Sequence, residues 1–437
     1  MKHNVISLVT LLTVVASVYS QDSIPPSATL NNLLDYAMQN SVSIQQTKEQ
    51  IQEQEGMIVE IKSAILPNAT LASSYSKKDE ELVSGGVIPG TGADENWSIS
   101  LEVNQLVYSG GGIRASLQAQ KYSRESVEYA LFSTIDQVVY EVRTSFYQAL
   151  LAREQIGVEE QNVNYLSEQL KIAQDRFEAN TISKFDVLRA EVELANAKPA
   201  LIRAKNNYRT AIDELYRAIG YQSHREHAYD GTEISGELAF SPIQYGLSTS
   251  LDKAMTTRPE LLQLDAMIKA YEAGVDVAKA GYYPNVSVYG GYALDKSPVS
   301  EDFSDSLKGW KVGVVSSWAV FDGRATRGRI LQARSKLRQV ELDKRELTLG
   351  IEVDVRRAVS ALQEAGELAQ AAEKVVVQAK EALRLAEVRY EVGAATQLEL
   401  LQSRVALTEA ETNLLSANYS YLVAVAQLSR ATGDKSL

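Results

Sequence analysis

Few residues in this chain have the types and spacing that do chemistry. Gly110-Gly-Gly112-Ile-Arg-Ala115 fits G-x-G-x-x-A and stands between an extended segment and a helical one. In that setting the motif cradles a pyrophosphate on backbone N–H groups. Three features oppose that use. The preceding segment alternates apolar and polar residues, whereas the buried parallel strand of a dinucleotide fold is apolar almost throughout. The helical stretch that follows is several times too long for a βαβ unit, and a later copy of the segment, Phe321-Asp322-Gly323-Arg324, abandons the pattern. The glycines suit a sharp turn from strand to helix. His224-Arg-Glu-His227 offers two imidazoles but no third ligand nearby, so a solvated linker is expected and not a metal site. The chain has no cysteine, which removes disulfides, thiolate metal sites and thiol nucleophiles together. No nucleophile elbow, P-loop or zinc-protease motif occurs. Catalytic residues, metals and cofactors are therefore expected to be none, and a formal charge of −12 gives no basic footprint for nucleic acid.

What the sequence does carry is a unit written twice. Lys62-Ser-Ala-Ile-Leu-Pro67-Asn68 matches Lys279-Ala-Gly-Tyr-Tyr-Pro284-Asn285 at an offset of 217. Trp97 pairs with Trp310, Arg176-Phe177-Glu178 with Arg389-Tyr390-Glu391, and Gly220 with Gly433, all at 213. The four-residue change falls in a polar loop, where a length change is tolerated. Leu201, Ala204, Tyr208, Ala211, Leu215 and Ala218 step by three and four, and Leu414, Ala417, Tyr421, Ala424, Leu428 and Ala431 repeat all six residue types.

Each half predicts the same elements. A helix (Leu30 to Ile65, Leu247 to Tyr282) ends at Pro67 or Pro284, because the residue before proline is pushed toward extended geometry. A strand follows, then a polar loop (Lys77 to Glu95, Asp295 to Gly309), then a second strand. In the first half Trp97, Ile99, Leu101 and Val103 alternate with Ser98, Ser100, Glu102 and Asn104; Trp310, Val312, Val314 and Trp318 repeat this more loosely. One apolar and one polar face with aromatic residues near the loop is the pattern of a membrane barrel strand; the alternative is a half-buried strand of a soluble sandwich. Four strands cannot close a transmembrane barrel, which takes at least ~8, so several chains must pool them. Long helical patterns from Ile113 to Glu178 and Thr326 to Glu391 reach ~100 Å at ~1.5 Å per residue. Returning helices run from Ser183 to Ala218 and Thr396 to Ala431, with a kink expected at Pro199 in the first only. Ahead of all this, residues 1–20 read as a secretory signal: Lys2 and His3, an apolar run from Val5 to Val18, and small residues before Gln21.

This ordered set resembles the TolC-like family of outer-membrane efflux proteins over nearly the whole chain after the leader. The resemblance implies a mainly helical fold with β structure: long antiparallel helical hairpins forming an α-barrel tunnel, and four strands contributed to a twelve-stranded transmembrane β-barrel in a homotrimer. It implies a passive conduit for small molecules or polypeptides in a tripartite efflux or type I secretion system, set in the lipid of the bacterial outer membrane. The tunnel would meet a periplasmic adaptor protein and an inner-membrane pump. The implied tip segments are Arg176 to Leu188 and Arg389 to Leu401, whose turns at Asn180 to Ser183 and Gly393 to Thr396 suit an adaptor-docking apex or a plain helix–helix turn. There Tyr390 resembles the family's gate tyrosine, Asp186 its carboxylate partner on the other hairpin, and Glu399 the first acidic ring of the entrance. An ordinary solvated helix charge is the other reading of Glu399. Ala395 replaces the family's arginine five residues after the tyrosine, and Gln402 replaces its second acidic ring, so the latch and the cation selectivity are expected to be differently built. The domain expectation is 1–20 signal, 21–220 first repeat, 221–245 inter-repeat linker, 246–433 second repeat and 434–437 tail. A periplasmic or surface coiled-coil protein without a pore is the competing function; it leaves the duplicated two-faced strands unexplained.

Overall fold

The structure, a computed structural model, describes residues 27–79, 95–221, 233–297 and 305–434. The leader, the loop prolines Pro89 and Pro298, and His224 and His227 lie outside the described residues. Two short parallel strands, β1 (Ser27–Ala28) and β4 (Glu233–Ile234), pair near mid-length. The first half then runs α1 (Leu30–Asn40), α2 (Val42–Ser63), β2 (Asn68–Lys77), β3 (Glu95–Ser109), α3 (Gly112–Glu178) and α4 (Lys184–Ile219). The second runs α5 (Leu247–Thr257), α6 (Pro259–Lys279), β5 (Asn285–Asp295), β6 (Leu307–Ser317), α7 (Ala325–Glu391) and α8 (Gln397–Thr432). The long helices have 67 residues and the returning ones 36 in both halves.

The opening helix of each half is two helices, not one. The breaks fall at Ser41 and Arg258, both buried. Arg258 precedes a proline, which explains the second break; the first has no proline, and packing explains it. Gly220 ends α4 in the left-handed region at φ +76, where a Cβ would stand 2.6 Å from the Asn40 carbonyl oxygen. Gly433 ends α8 at φ +67, against Thr257 Oγ1. The C-terminus of each returning helix thus sits in the notch between the two opening helices, and only glycine lets the backbone approach that closely. Pro199 lies inside α4, which runs through it as one helix.

The repeated seam builds the same core twice. Val142, Phe146, Leu150, Ile212 and Leu215 are buried around α3 and α4, and Ile351, Val355, Leu362, Tyr421 and Leu428 around α7 and α8. The inter-repeat segment is tied to these cores by hydrogen bonds. Asn418 Nδ2 donates to Leu238 O (3.0 Å), Tyr421 Oη donates to Ser241 O (2.9 Å), and Ile243 N donates to Tyr421 Oη (2.8 Å).

Candidate channel wall and tip

The four long strands form one antiparallel sheet in the order β2-β3-β5-β6. Register decides its faces, because residues opposite one another in an antiparallel pair point the same way. Leu71, Leu101, Tyr292 and Trp310 form one cross-strand row, and Val103, Gly290 and Val312 form another. All of these lie on one face, and Trp310 is 77% exposed. On the other face Ser74 and Ser98 hydrogen-bond at 2.8 Å, and Lys311 reaches Glu102 at 3.6 Å while lying over the Tyr289 ring. The Tyr289 side chain covers Gly313, filling space a side chain would otherwise take. One face is thus an apolar wall left exposed among the described residues, and the other carries hydroxyls and an ion pair.

Aromatic residues mark both ends of that wall. Tyr75 and Trp97 pair near the loop end, with Tyr292 and Trp310 further in. Tyr282, Tyr283, Trp318 and Phe321 gather at the helix end, Phe321 being 85% exposed. Trp318 was expected on the second strand of its half; it lies just past β6, where its indole donates to Tyr282 O at 3.1 Å. Eleven-residue strands such as β5 and β6, tilted by about 40°, cover roughly 28 Å of height, close to the ~25 Å apolar band of a membrane barrel. Among the described residues no helix is long and apolar enough to cross a membrane.

Gly110 and Gly111 stand in the left-handed region between β3 and α3, and Gly323 and Arg324 between β6 and α7. A Cβ on Gly110 would meet Tyr283 and the Ala280 carbonyl oxygen at 2.6 and 2.7 Å, so the glycine motif serves close packing at the strand-to-helix corner. At the second corner Asp322 accepts the Thr326 N–H at 2.7 Å; bonds from Thr326 hold its carboxyl below the ordinary carboxylate range.

At the far end, the three sequence-derived tip residues occupy related positions. Asp186 and Glu399 are repeat counterparts, each the third residue of a returning helix. Asp186 closes a capping box: its carboxylate accepts from Ser183 N (3.1 Å) and Ser183 Oγ (2.7 Å). The Glu399 backbone N–H bonds Thr396 Oγ1 at 3.3 Å, and its exposed carboxylate lies 3.9 Å from Arg389. Tyr390 is the counterpart of Phe177 and sits with its ring under the Arg176 guanidinium, 4.7 Å away. Within one chain, then, Tyr390 and Asp186 are not brought together. Arg176 is the partner that sequence reasoning missed, although the Arg176-Phe177 and Arg389-Tyr390 correspondence pointed to this turn. Higher up, Arg404 stacks on Tyr165 (4.9 Å) and donates to Asn162 Oδ1 (3.2 Å), a second joint between the two hairpins.

A sheet apolar on one side and polar on the other, open at both edges and carried on two hairpins ~100 Å long, defines a subunit of an outer-membrane channel. The family model of the outer membrane efflux protein matches residues 33–221 and 250–434, and the chain belongs to that family. The pyoverdine export outer membrane protein OpmQ of Pseudomonas putida is 23% identical over 427 residues, covering 93% of this chain and 86% of its own length. Outer membrane protein TolC of Vibrio cholerae is 21% identical over 389 residues, covering 86% and 84%. Among solved structures, the CmeC outer membrane channel of Campylobacter jejuni shares the fold with a TM-score of 0.77 at 16% identity, over 92% of this chain and 85% of that one. The chain is an outer-membrane channel protein with its sheet in the membrane and its helical tunnel in the periplasm.

Proposed function

We propose that three copies close a twelve-stranded barrel and a continuous helical tunnel, and that the trimer is the passive outer conduit of a tripartite efflux or type I secretion system. The observation that carries this is the open sheet. β2 and β6 are its edges, and unpaired edge strands cannot be left in lipid. Neighbouring copies satisfy them, β6 of one against β2 of the next. The two repeats, 21–220 and 246–433, then supply one long hairpin each to the tunnel, with the inter-repeat linker 221–245 between them. The tips are the docking end for a periplasmic adaptor and its inner-membrane pump. There Asp186 and Tyr390 are assigned to a latch between hairpins of neighbouring copies, and Glu399 to an acidic ring at the entrance. The cargo class is export substrate, small molecule or polypeptide.

The experiment is detergent extraction of membranes followed by mass measurement and planar-bilayer recording. A heat-modifiable trimer that conducts ions supports the proposal. A soluble, non-conducting monomer would overturn it and favour the pore-free coiled-coil alternative.

A further inference from the structure

Beneath the sheet the helices lie side by side in the order α2, α3, α6, α7. α2 buries or half-buries Ile44, Thr47, Ile51, Gln54, Ile58 and Ile61 toward α3, steps of three and four. On its opposite side Glu49, Glu53 and Glu60 are exposed, spaced by four and seven. α7, at the other edge, exposes Arg327, Arg334 and Arg338, spaced by seven and four. Between Asp322 and Glu341 the sequence has six basic residues and no acidic one. None of these three carboxylates or three guanidinium groups has an ion-pair partner among the described residues. An open groove lined by Val42, Gln46, Glu49 and Glu53 runs along the acidic side.

The chain contains its own template for what covers these edges. α3 against α6 joins the first repeat to the second, as α7 of one copy would join α2 of the next. At that internal junction Lys269 lies over the Tyr122 ring, Ser126 Oγ donates to Gln263 O (3.1 Å) and Ser133 Oγ donates to Glu260 (3.2 Å). Advancing α3 by 213 onto α7, and moving α6 back by 217 onto α2, turns Tyr122–Lys269 into Ser335 level with Gln52. On that register Arg334 is level with Glu53, Arg338 with Glu49 and Arg327 with Glu60. The two helices run in opposite directions, so all three pairs fall in step, and helical angles put both stripes on the same flank of the junction. The internal junction has Ala270, Ala266 and Val277 where α2 has its glutamates. The acidic stripe therefore belongs to the outer edge alone, whereas α3 repeats two of the three basic positions as Arg114 and Lys121 and has Glu125 at the third.

We propose that the α2 edge of each copy docks on the α7 edge of the next through Glu49–Arg338, Glu53–Arg334 and Glu60–Arg327. The occupant is a second copy of this chain, and the inference rests on the channel reading above. Rotation about an axis along the hairpins preserves height, so the internal register carries over to a head-to-tail ring. Opposite charge on the two edges lets α7 meet α2 and makes α2–α2 or α7–α7 contacts repulsive, which specifies closure in one sense.

Because the chain has no cysteine, paired substitutions report the contact directly. Glu53→Cys with Arg334→Cys, treated in membranes with a short thiol-to-thiol cross-linker, should give a covalent trimer on denaturing gels. Each single variant should stay monomeric there, as should Glu53→Cys with Arg345→Cys, eleven positions off register. Absence of cross-linking in a preparation that is trimeric in detergent overturns this interface and leaves the channel reading standing; a monomer in every preparation overturns both. Independently, Arg334→Glu should lower the temperature at which the trimer dissociates, and adding Glu53→Arg should restore more than half of the fall. A further fall in the double variant would overturn the pairing.

Discussion

Leu101 and Ser100 are adjacent in the second strand of the sheet, near its mid-height, and differ only in the face they occupy. Leu101 lies between Leu71 and Tyr292 on the apolar wall; Ser100 lies between Ala72 and Ala293 on the polar face. Leu101→Arg therefore places a guanidinium in lipid, at about 2–4 kcal/mol per chain near the midplane, or roughly 6–12 for a ring of three. Ser100→Arg places the same group in an aqueous bore beside two alanines and on the same face as Glu102, where the cost is near zero. Both variants can be followed by urea titration of the heat-modifiable trimer in vesicles, with single-channel recording alongside. Leu101→Arg should lower the unfolding midpoint steeply, or prevent assembly, without changing ion preference in any channels that form. Ser100→Arg should leave the midpoint nearly unchanged and shift ion preference toward anions. Equal destabilisation of the two, or a change in selectivity from Leu101→Arg alone, would refute the assignment of lipid and bore to these faces.

Four other outcomes follow from the same geometry. Gly220→Ala should lower stability by more than Gly323→Ala in denaturant titration: both carry the left-handed backbone cost of about 1–2 kcal/mol, but only the Gly220 Cβ meets a carbonyl oxygen, while Gly323 has open space. Asp186→Ala should make the closed tip leakier to antibiotics and raise single-channel conductance. Ser183→Ala, which removes the cap hydroxyl at about 0.5–2 kcal/mol and keeps the carboxylate, should not, and equal leakage from both would trace the effect to helix fraying. Glu399→Gln should weaken block by a trivalent cation at least tenfold, since each carboxylate ~6 Å from such an ion contributes about 2 kcal/mol even in water; unchanged block would remove Glu399 from the bore. Burial raises the Glu260 carboxyl, but the hydrogen bond and charge of Arg258, aided by Ser133, outweigh it and hold the group below the ordinary carboxylate range. Its contribution to stability is thus present above that range and lost as pH falls through the lowered value, so Glu260→Gln should flatten the acid limb of a thermal-unfolding series.

The fold was legible wherever a short period repeats under one dominant force. The step of three and four from Leu201 to Ala218 follows from burying one face against other helices, the step of two from Trp97 to Val103 from turning one apolar face toward lipid, and the structure has a helix and a strand there. The long helices begin and end within a residue or two of the sequence reading because glycine corners and capped turns bound them. The break at Ser41 was not legible. No residue there forbids a helix, and the cause is Gly220, far along the chain, wedged against Asn40. The tip was only partly legible for the same reason. Arg176 over Tyr390 joins two hairpins, and no local pattern announces a cation–π contact between residues so distant in sequence.

The duplication itself separates structure from use. Positions that face inward within a hairpin kept their residue types through the copying: Tyr208 and Tyr421, Leu215 and Leu428, Ala218 and Ala431, Gly220 and Gly433. Packing demands the same shape in both halves, so divergence there would cost cavity or overlap energy twice over. Positions that, on the proposed assembly, face a neighbouring copy or the bore are released from that demand, and these are where the halves part company. Phe177 became or came from Tyr390, Asp186 stands for Glu399, and Ala266 and Ala270 stand where Glu49 and Glu53 are. Two identical halves would make every junction around the ring equivalent, so that an α2 edge could dock as readily on α3 as on α7. The α2 glutamates have no counterpart in α6, and Glu125 stands in α3 where α7 has Arg338, so in the proposed ring charge favours α7 over α3 as the partner of α2. On that proposal the differences between the repeats, more than their likeness, are where assembly and gating are encoded.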